Sequence, residues 1–375
     1  MAHSLRLVHQ SPPPDRDPID LAWQTLRPPL SSFIGREQEI ATVVGLLRQE
    51  GVRLVTLTGP GGVGKTRLAL RVAKEIAGDY SHGFEIIDLS PLRDPGLVLR
   101  VIAQALGTRA QTSLLLVLDN FEHVIDAAPR ITDLVTACPR ITVLLTSRER
   151  LRIDAEHVFP VPPLSLPGGE GVPDPAGSAA IALFVERARA VAPDLAASRD
   201  DVAVIAEICR RLDGLPLAIE LAAARAGVLP PQILLEQLER RLPLLNAGAR
   251  DAPARHQTMR AAIAWSYDLL RPEEQALFRA LSVFIGGFTV EVAEWVMRDG
   301  SGSPEQAALP AIDTFDGILR LADKHLVQYG TGSNDSARFS QLETIREFGL
   351  DRLSECGEAD EVRNRQASWC LHLAE

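Results

Sequence analysis

Gly59-Pro60-Gly61-Gly62-Val63-Gly64-Lys65-Thr66 decides the fold of this chain. The spacing is Gly-x-x-x-x-Gly-Lys-Thr, a loop whose backbone amides wrap phosphate groups. Upstream, Arg53-Leu54-Val55-Thr56-Leu57-Thr58 is a short β-branched, apolar strand. Downstream, Arg67 to Ile76 carries apolar residues at helical spacing. Strand, glycine loop and helix start together turn a string match into a candidate site. Gly59, Gly61, Gly62 and Gly64 let the backbone approach phosphate oxygens, with Val63 inside the loop. Unpaired N–H groups at the helix start, where Arg67 follows Thr66, favour the anion. Lys65 supplies an ammonium to the β- and γ-phosphates, and the Thr66 hydroxyl suits Mg²⁺. The competing reading is a glycine-rich turn that binds nothing. The chain has only three lysines, Lys65, Lys74 and Lys324, so the motif lysine is not drawn from a Lys-rich background.

Two further strand ends complete the expected site. Leu114-Leu115-Leu116-Val117-Leu118 runs into Asp119, the acid expected beside a phosphate loop to organise Mg²⁺. Val143-Leu144-Leu145-Thr146-Ser147 runs into Arg148, whose permanent charge and forked donors suit a γ-phosphate edge. Lys65, Asp119 and Arg148 are therefore the candidate catalytic residues, and Thr66 and Asp119 the candidate metal ligands.

At 375 residues the chain is long enough for two or three domains at roughly 100–200 residues each. A net charge of −10 argues against a surface dominated by nucleic-acid binding. Four scattered cysteines with no CxxC pair suit neither zinc nor a disulfide framework and imply a reducing compartment. The first 15 residues lack a secretory apolar core, and no apolar run is long enough to span a bilayer. A cytoplasmic protein with no membrane partner is the expectation. The eight histidines show no metal spacing.

The pattern predicts five segments. Residues 1–29, with Ser-Pro-Pro-Pro at 11–14, form a flexible tail. Residues 30–165 alternate strands (53–58, 84–89, 114–118, 142–146, 157–161) with helices, an α/β unit built on a parallel sheet. After a Pro/Gly-rich linker, 166–250 is helical, with helices at 178–191, 201–212, 215–227 and 231–240. Residues 251–345 place four helices before a hairpin of 326–329 and 337–342, a winged-helix outline. Residues 346–375 continue as helix and present apolar positions that need a partner surface.

The ordered set Phe33-Ile34-Gly35-Arg36-Glu37, the 59–66 loop, Leu116-Val117-Leu118-Asp119-Asn120, Thr146-Ser147-Arg148 and Gly214-Leu215-Pro216-Leu217 resembles the NB-ARC-like STAND ATPases. It resembles most the bacterial regulators of that class with tetratricopeptide repeats and LuxR-type ends. The resemblance covers residues 30 to 375. It implies that Ile34, Gly35 and Arg36 cup adenine and ribose, and that Pro216 packs on the base or sugar. It implies ATP or ADP with Mg²⁺, a closed ADP-bound resting state, and opening to a homo-oligomer with ATP. Sensor and effector regions would lie beyond residue 375. Two positions depart from the family. Asn120 stands where many relatives carry a second acid, with Glu122 the nearest substitute. Gln341-Leu342-Glu343 stands at the Met-His-Asp signature. Slow ATP hydrolysis is the expected activity. Direct DNA binding by the winged-helix block is the alternative, against which Arg271, Arg279, Arg298 and Arg320 are scattered rather than striped. A small-molecule kinase is the third reading, for which no second-substrate pocket is legible.

Overall fold

The computed structural model describes residues 32–166, 178–193, 199–238, 258–297, 313–331 and 337–374. The predicted tail at 1–29, most of the 160–177 linker and the joint at 247–253 lie outside them. Helix α1 (Glu37–Arg48) leads into β1 (Leu54–Thr58), then α2 (Lys65–Glu75) and β2 (Phe84–Asp88). The alternation continues through α3 (Val98–Leu106), β3 (Leu114–Asp119), α4 (Ala128–Ala137), β4 (Ile141–Thr146) and β5 (His157–Pro160).

The five strands pair in parallel in the order β2-β3-β4-β1-β5. Successive side chains of a strand point to opposite faces, so each strand feeds two cores. Leu115, Val117 and Leu144 pack with Leu68 and Val72 of α2. Leu114, Leu116, Leu118, Val143 and Leu145 pack with Ile102 and Ile131 on the other face. This is why β1 and β3 are predominantly apolar with no polar–apolar alternation to a solvent face: every residue of both is buried. A parallel sheet covered on both faces, with a glycine loop between β1 and α2, resembles a P-loop ATPase fold. In register, Leu57 pairs with Thr146 and Asp88 with Asp119, so the loop, Asp119 and Arg148 emerge together at the strands' carboxyl ends.

Helices α5 (Ala179–Val191), α6 (Arg199–Arg211), α7 (Pro216–Ala223) and α8 (Pro231–Gln237) follow. Their Ile181, Phe184, Ile208 and Ile219 share one core with the α1–α2 face of the sheet. Next come α9 (Met259–Asp268), α10 (Pro272–Leu281), α11 (Val290–Met297) and α12 (Thr314–Asp323). The antiparallel hairpin β6 (Gln328–Thr331) and β7 (Ala337–Ser340) follows, then α13 (Glu343–Glu355) and α14 (Ala359–Ala374).

Local expectations shift in several places; the helix expected at 215–227 ends at Ala223 and the strand expected at 337–342 ends at Ser340. The first hairpin strand starts at Gln328, not Leu326, because Leu326 and Val327 are buried in the core just after α12. The stretch 121–137, whose composition is helical throughout, opens with a 3-10 turn over Phe121–Ala127, kinked at Val124, before α4. The helix that the sequence opens at Ser32 and carries to Leu47 begins only at Glu37, since Arg36 sits in the left-handed region with φ 71°. The C-terminal helical run breaks at Gly357, φ 73°, into two helices. Trp369 of α14 then packs on Trp295 of α11 with ring centroids 5.3 Å apart. No helix among the described residues is long and apolar enough to cross a membrane. Cys138 and Cys209 are buried, and Cys356 and Cys370 exposed.

Candidate functional site

The loop from Gly59 to Gly64 leaves β1 and enters α2 with a left-handed residue at Gly64, φ 97°. Lys65 Nζ donates to Gly59 O at 2.7 Å and Pro60 O at 3.2 Å, so the ammonium lies along the loop. Burial pulls it down to about 8, against the attraction of Glu122. Thr66 Oγ1 donates to Asp119 Oδ1 at 2.7 Å, which joins the two candidate metal ligands.

Asp119 is held from several sides. Thr146 Oγ1 donates to Oδ1 at 2.5 Å, and Asn120 Nδ2 to Oδ2 at 2.8 Å. Burial pushes its carboxyl up to about 6, with the Thr146 and Thr66 hydroxyls opposing. Asp119 and Thr66 are hard oxygen donors side by side, the type Mg²⁺ takes alongside phosphate oxygens and water. No cluster of three or more His, Cys, Asp or Glu stands elsewhere as a metal site among the described residues.

Arg148, at the end of β4, is buried at 7% exposure. Its Nε donates to Glu122 Oε1 and its Nη1 to Ala262 O, each at 3.1 Å. For Glu122, burial alone would raise the carboxyl, but Arg148 and Lys65 outweigh it and hold it below the usual range. A Cβ on Gly61 would lie 3.2 Å from Ala262 O and 3.3 Å from Arg148 Nη1. Helix α9 therefore sits directly over the loop.

The other predicted contacts gather around the same loop. Leu217 N–H donates to Gly62 O at 3.2 Å, and Pro216 Cγ lies 4.0 Å from a Cβ built on Gly64. The α7 N-terminus thus rests on the phosphate loop. Arg36 Nη2 donates to Val63 O at 2.7 Å, with Val63 itself fully buried. Gly35 passes so close to α5 that a Cβ there would meet Ala179 Cβ at 2.7 Å. Ile34 packs half-buried against the main core. Arg67 turns away from the loop: it and Arg187 both pair with Glu220, at 3.1 and 3.0 Å, and both donate to Ser32 O.

Two participants were not singled out from sequence as loop neighbours. Ala262 contributes only a backbone carbonyl, which no residue type signals. His325 follows α12 with φ 55° and lies near enough to Lys65 to feel its charge. Burial pushes its ring down to about 4, and the nearby Lys65 charge adds to the fall. The same edge is stitched by Asp323, which accepts from Arg150 Nη2 at 2.9 Å and from Arg152 Nη2.

No protein-family model matches the chain. It is 39% identical over 352 residues to an uncharacterised Mycobacterium tuberculosis protein, spanning 90% of this chain and 85% of that one. It is 38% identical over 338 residues to a longer M. tuberculosis protein provisionally named an HTH-type transcriptional regulator. That match spans 86% of this chain but 36% of the longer protein. Among solved structures, a STAND protein with a tetratricopeptide repeat sensor from Pyrococcus horikoshii overlays 93% of this chain and 46% of its own. The TM-score is 0.32 at 16% identity. Cdc6p from Pyrobaculum aerophilum overlays 94% of this chain and 97% of its own, with a TM-score of 0.37 at 15% identity. Both overlays are loose.

Proposed function

The chain belongs to the family of that uncharacterised mycobacterial protein, and we propose that it is an ATP/ADP-binding switch of the STAND type within a signalling or transcription regulator. In this reading residues 30–165 hold the nucleotide, 166–250 form a helical lid, and 251–345 form a winged-helix block that closes over the phosphates. Residues 346–375 then start a C-terminal region.

One observation carries the reading. Both later blocks dock at the phosphate site: α7 on the loop, through Leu217 N–H to Gly62 O, and α9 on Arg148 at the end of β4, through Ala262 O beside Gly61. A residue suited to the γ-phosphate is thus tied to the block whose docking it would control. The γ-phosphate and Ala262 O compete for one guanidinium, and a ligand that favours one of two packings shifts their balance. Lys65 and the loop amides would bind the phosphates. Thr66 and Asp119 would hold Mg²⁺, which supplies charge neutralisation at the phosphates when bound. Hydrolysis would be slow and act as a timer. ATP would favour an open, self-associating form.

Direct DNA contact remains the second reading, favoured by the name of the longer relative. Three arginines among the described residues of the 251–345 block speak against it. Arg279 pairs bidentately with Glu358, Arg320 with Asp316, and Arg260 with Asp351 and Glu355. Paired arginines form no free basic stripe.

The test is to denature the purified chain and identify the nucleotide released. ADP or ATP is expected from the parent and almost none from Lys65→Ala. Equal content in both refutes the assignment.

A further inference from the structure

In the proposed hydrolysis the water needs a proton acceptor, and the residue after Asp119 cannot be one. Asn120 is an amide, and its Nδ2 is committed to Asp88 Oδ1 and Asp119 Oδ2, both at 2.8 Å. Asn120 does something else. It adopts the left-handed conformation, φ 63° and ψ 47°, and starts the 3-10 turn over Phe121–Ala127. Phe121 anchors that turn with a fully buried ring. The next residue, Glu122, is thereby returned to the site.

The Glu122 side chain is 5% exposed and the Arg148 side chain 8%. Oε1 accepts from Arg148 Nε at 3.1 Å. Oε2 is buried and has no hydrogen-bond partner among the described residues. A buried carboxylate oxygen without a donor is costly and uncommon, and such atoms concentrate where chemistry needs them. The Lys65 and Arg148 charges both act on this carboxylate, so it belongs to the phosphate-binding cluster rather than to a separate surface network. Arg148, which holds Oε1, is the residue that also holds Ala262 O of α9.

Building on the proposed nucleotide switch, we infer that Glu122 is the general base of nucleoside triphosphate hydrolysis, held in reserve by Arg148 while α9 is docked. The water oxygen attacks the γ-phosphorus and its proton passes to Glu122 Oε2. The bond from the γ-phosphorus to the bridging oxygen breaks, and its electron pair stays on the β-phosphate. The products are the nucleoside diphosphate and inorganic phosphate, and Glu122 returns its proton to solvent. When Arg148 turns to a γ-phosphate it leaves Ala262 and Glu122 together, so opening and activation share one side chain.

Glu122→Gln separates this from a purely structural ion pair, because glutamine still accepts a hydrogen bond from Arg148 but takes up no proton. The experiment uses the full chain with Mg²⁺ and γ-labelled ATP. It compares the parent, Glu122→Gln, Glu122→Asp and Lys65→Ala in single-turnover hydrolysis and equilibrium ATP binding. It also identifies the nucleotide carried through purification. Loss of a general base costs about 10²–10⁴-fold in rate. Glu122→Gln is expected to bind ATP within about threefold of the parent, to hydrolyse it at least ~100-fold more slowly, and to carry ATP where the parent carries ADP. Glu122→Asp, which keeps the charge and withdraws it by one methylene, is expected to bind ATP and to turn over at an intermediate rate, which keeps the test decisive if the glutamine variant does not fold. Parent-like hydrolysis in either variant overturns the inference. So does a parent that binds ATP and never cleaves it. A parent that binds no more nucleotide than Lys65→Ala overturns the switch reading as well, and the binding arm tells these failures apart.

Discussion

Replacing Gly62 with alanine probes the contact between the 59–66 loop and helix α7. Gly62 sits at φ 81°, and a Cβ there would lie 2.9 Å from Leu217 Cβ and 3.1 Å from Leu217 Cδ2. Two costs follow. A non-glycine residue in the left-handed region costs about 1–2 kcal/mol. Overpacking against Leu217 adds about 1–3 kcal/mol, because α7 must move or Leu217 must leave its rotamer. Moving α7 also breaks the Leu217 N–H bond to Gly62 O. Gly62→Ala is therefore expected to destabilise by about 2–5 kcal/mol. The two costs separate in a double-mutant cycle with Leu217→Gly, which removes both clashing atoms and leaves the backbone strain. The double variant is expected to be more stable than additivity predicts by about 1–3 kcal/mol. The assay is equilibrium urea unfolding of the full chain for the parent, both single variants and the double. A coupling energy below about 0.5 kcal/mol, the range in which independent sites add, would refute contact between α7 and the loop.

Two further outcomes can be checked at the opposite edge of the loop. His325 is held down to about 4 from an ordinary 6.5, so the folded chain keeps the ring neutral where the unfolded chain protonates it. Its contribution is present above pH 6.5 and is lost as pH falls toward 4, up to about 3 kcal/mol. Asp119, raised to about 6, pulls the opposite way over an overlapping range, so the test is a difference. His325→Gln should flatten the acid-side loss relative to the parent, and identical pH profiles of stability would contradict the burial argument. Asp323→Ala removes both arginine partners on the β4 side, Arg150 and Arg152. Each pair is half-exposed and contributes about 0.2–1 kcal/mol, weakened by salt. Limited proteolysis at low ionic strength should therefore speed up several-fold, with the difference fading at high salt. Equal digestion of parent and variant at low salt would show that Asp323 does not hold the blocks together.

The parts of the fold that were legible are those whose cause is local. The 59–66 loop, its flanking strand and helix, and the apolar runs into Asp119 and Thr146 each encode their geometry within a dozen residues. The sheet brings them together because parallel strands place their carboxyl ends on one edge. The boundaries that moved did so for tertiary reasons. Leu326 and Val327 have strand composition, yet the core claims both before β6 begins. Arg36 and Asn120 carry left-handed conformations that composition does not announce, and each redirects the chain at the site. Glu122 could be named as the nearest spare acid after Asp119, but not aimed, because the aim comes from the turn at Asn120 and the packing of Phe121.

The contacts that make the loop a joint were the least legible. Ala262 O reaches Arg148 across 114 positions, and it acts through a backbone group present in every residue. Leu217 N–H to Gly62 O has the same character. That invisibility has a physical consequence. In the proposed switch, docking through backbone groups would make the closed state tolerant of sequence change in α7 and α9, while the loop side would be constrained twice, once by phosphate and once by docking. Gly61 and Gly62 each lie within contact distance of a later block. Their lack of a side chain therefore serves two partners, and a substitution there should impair nucleotide binding and block closure together, whereas a substitution on the solvent face of α9 should impair neither.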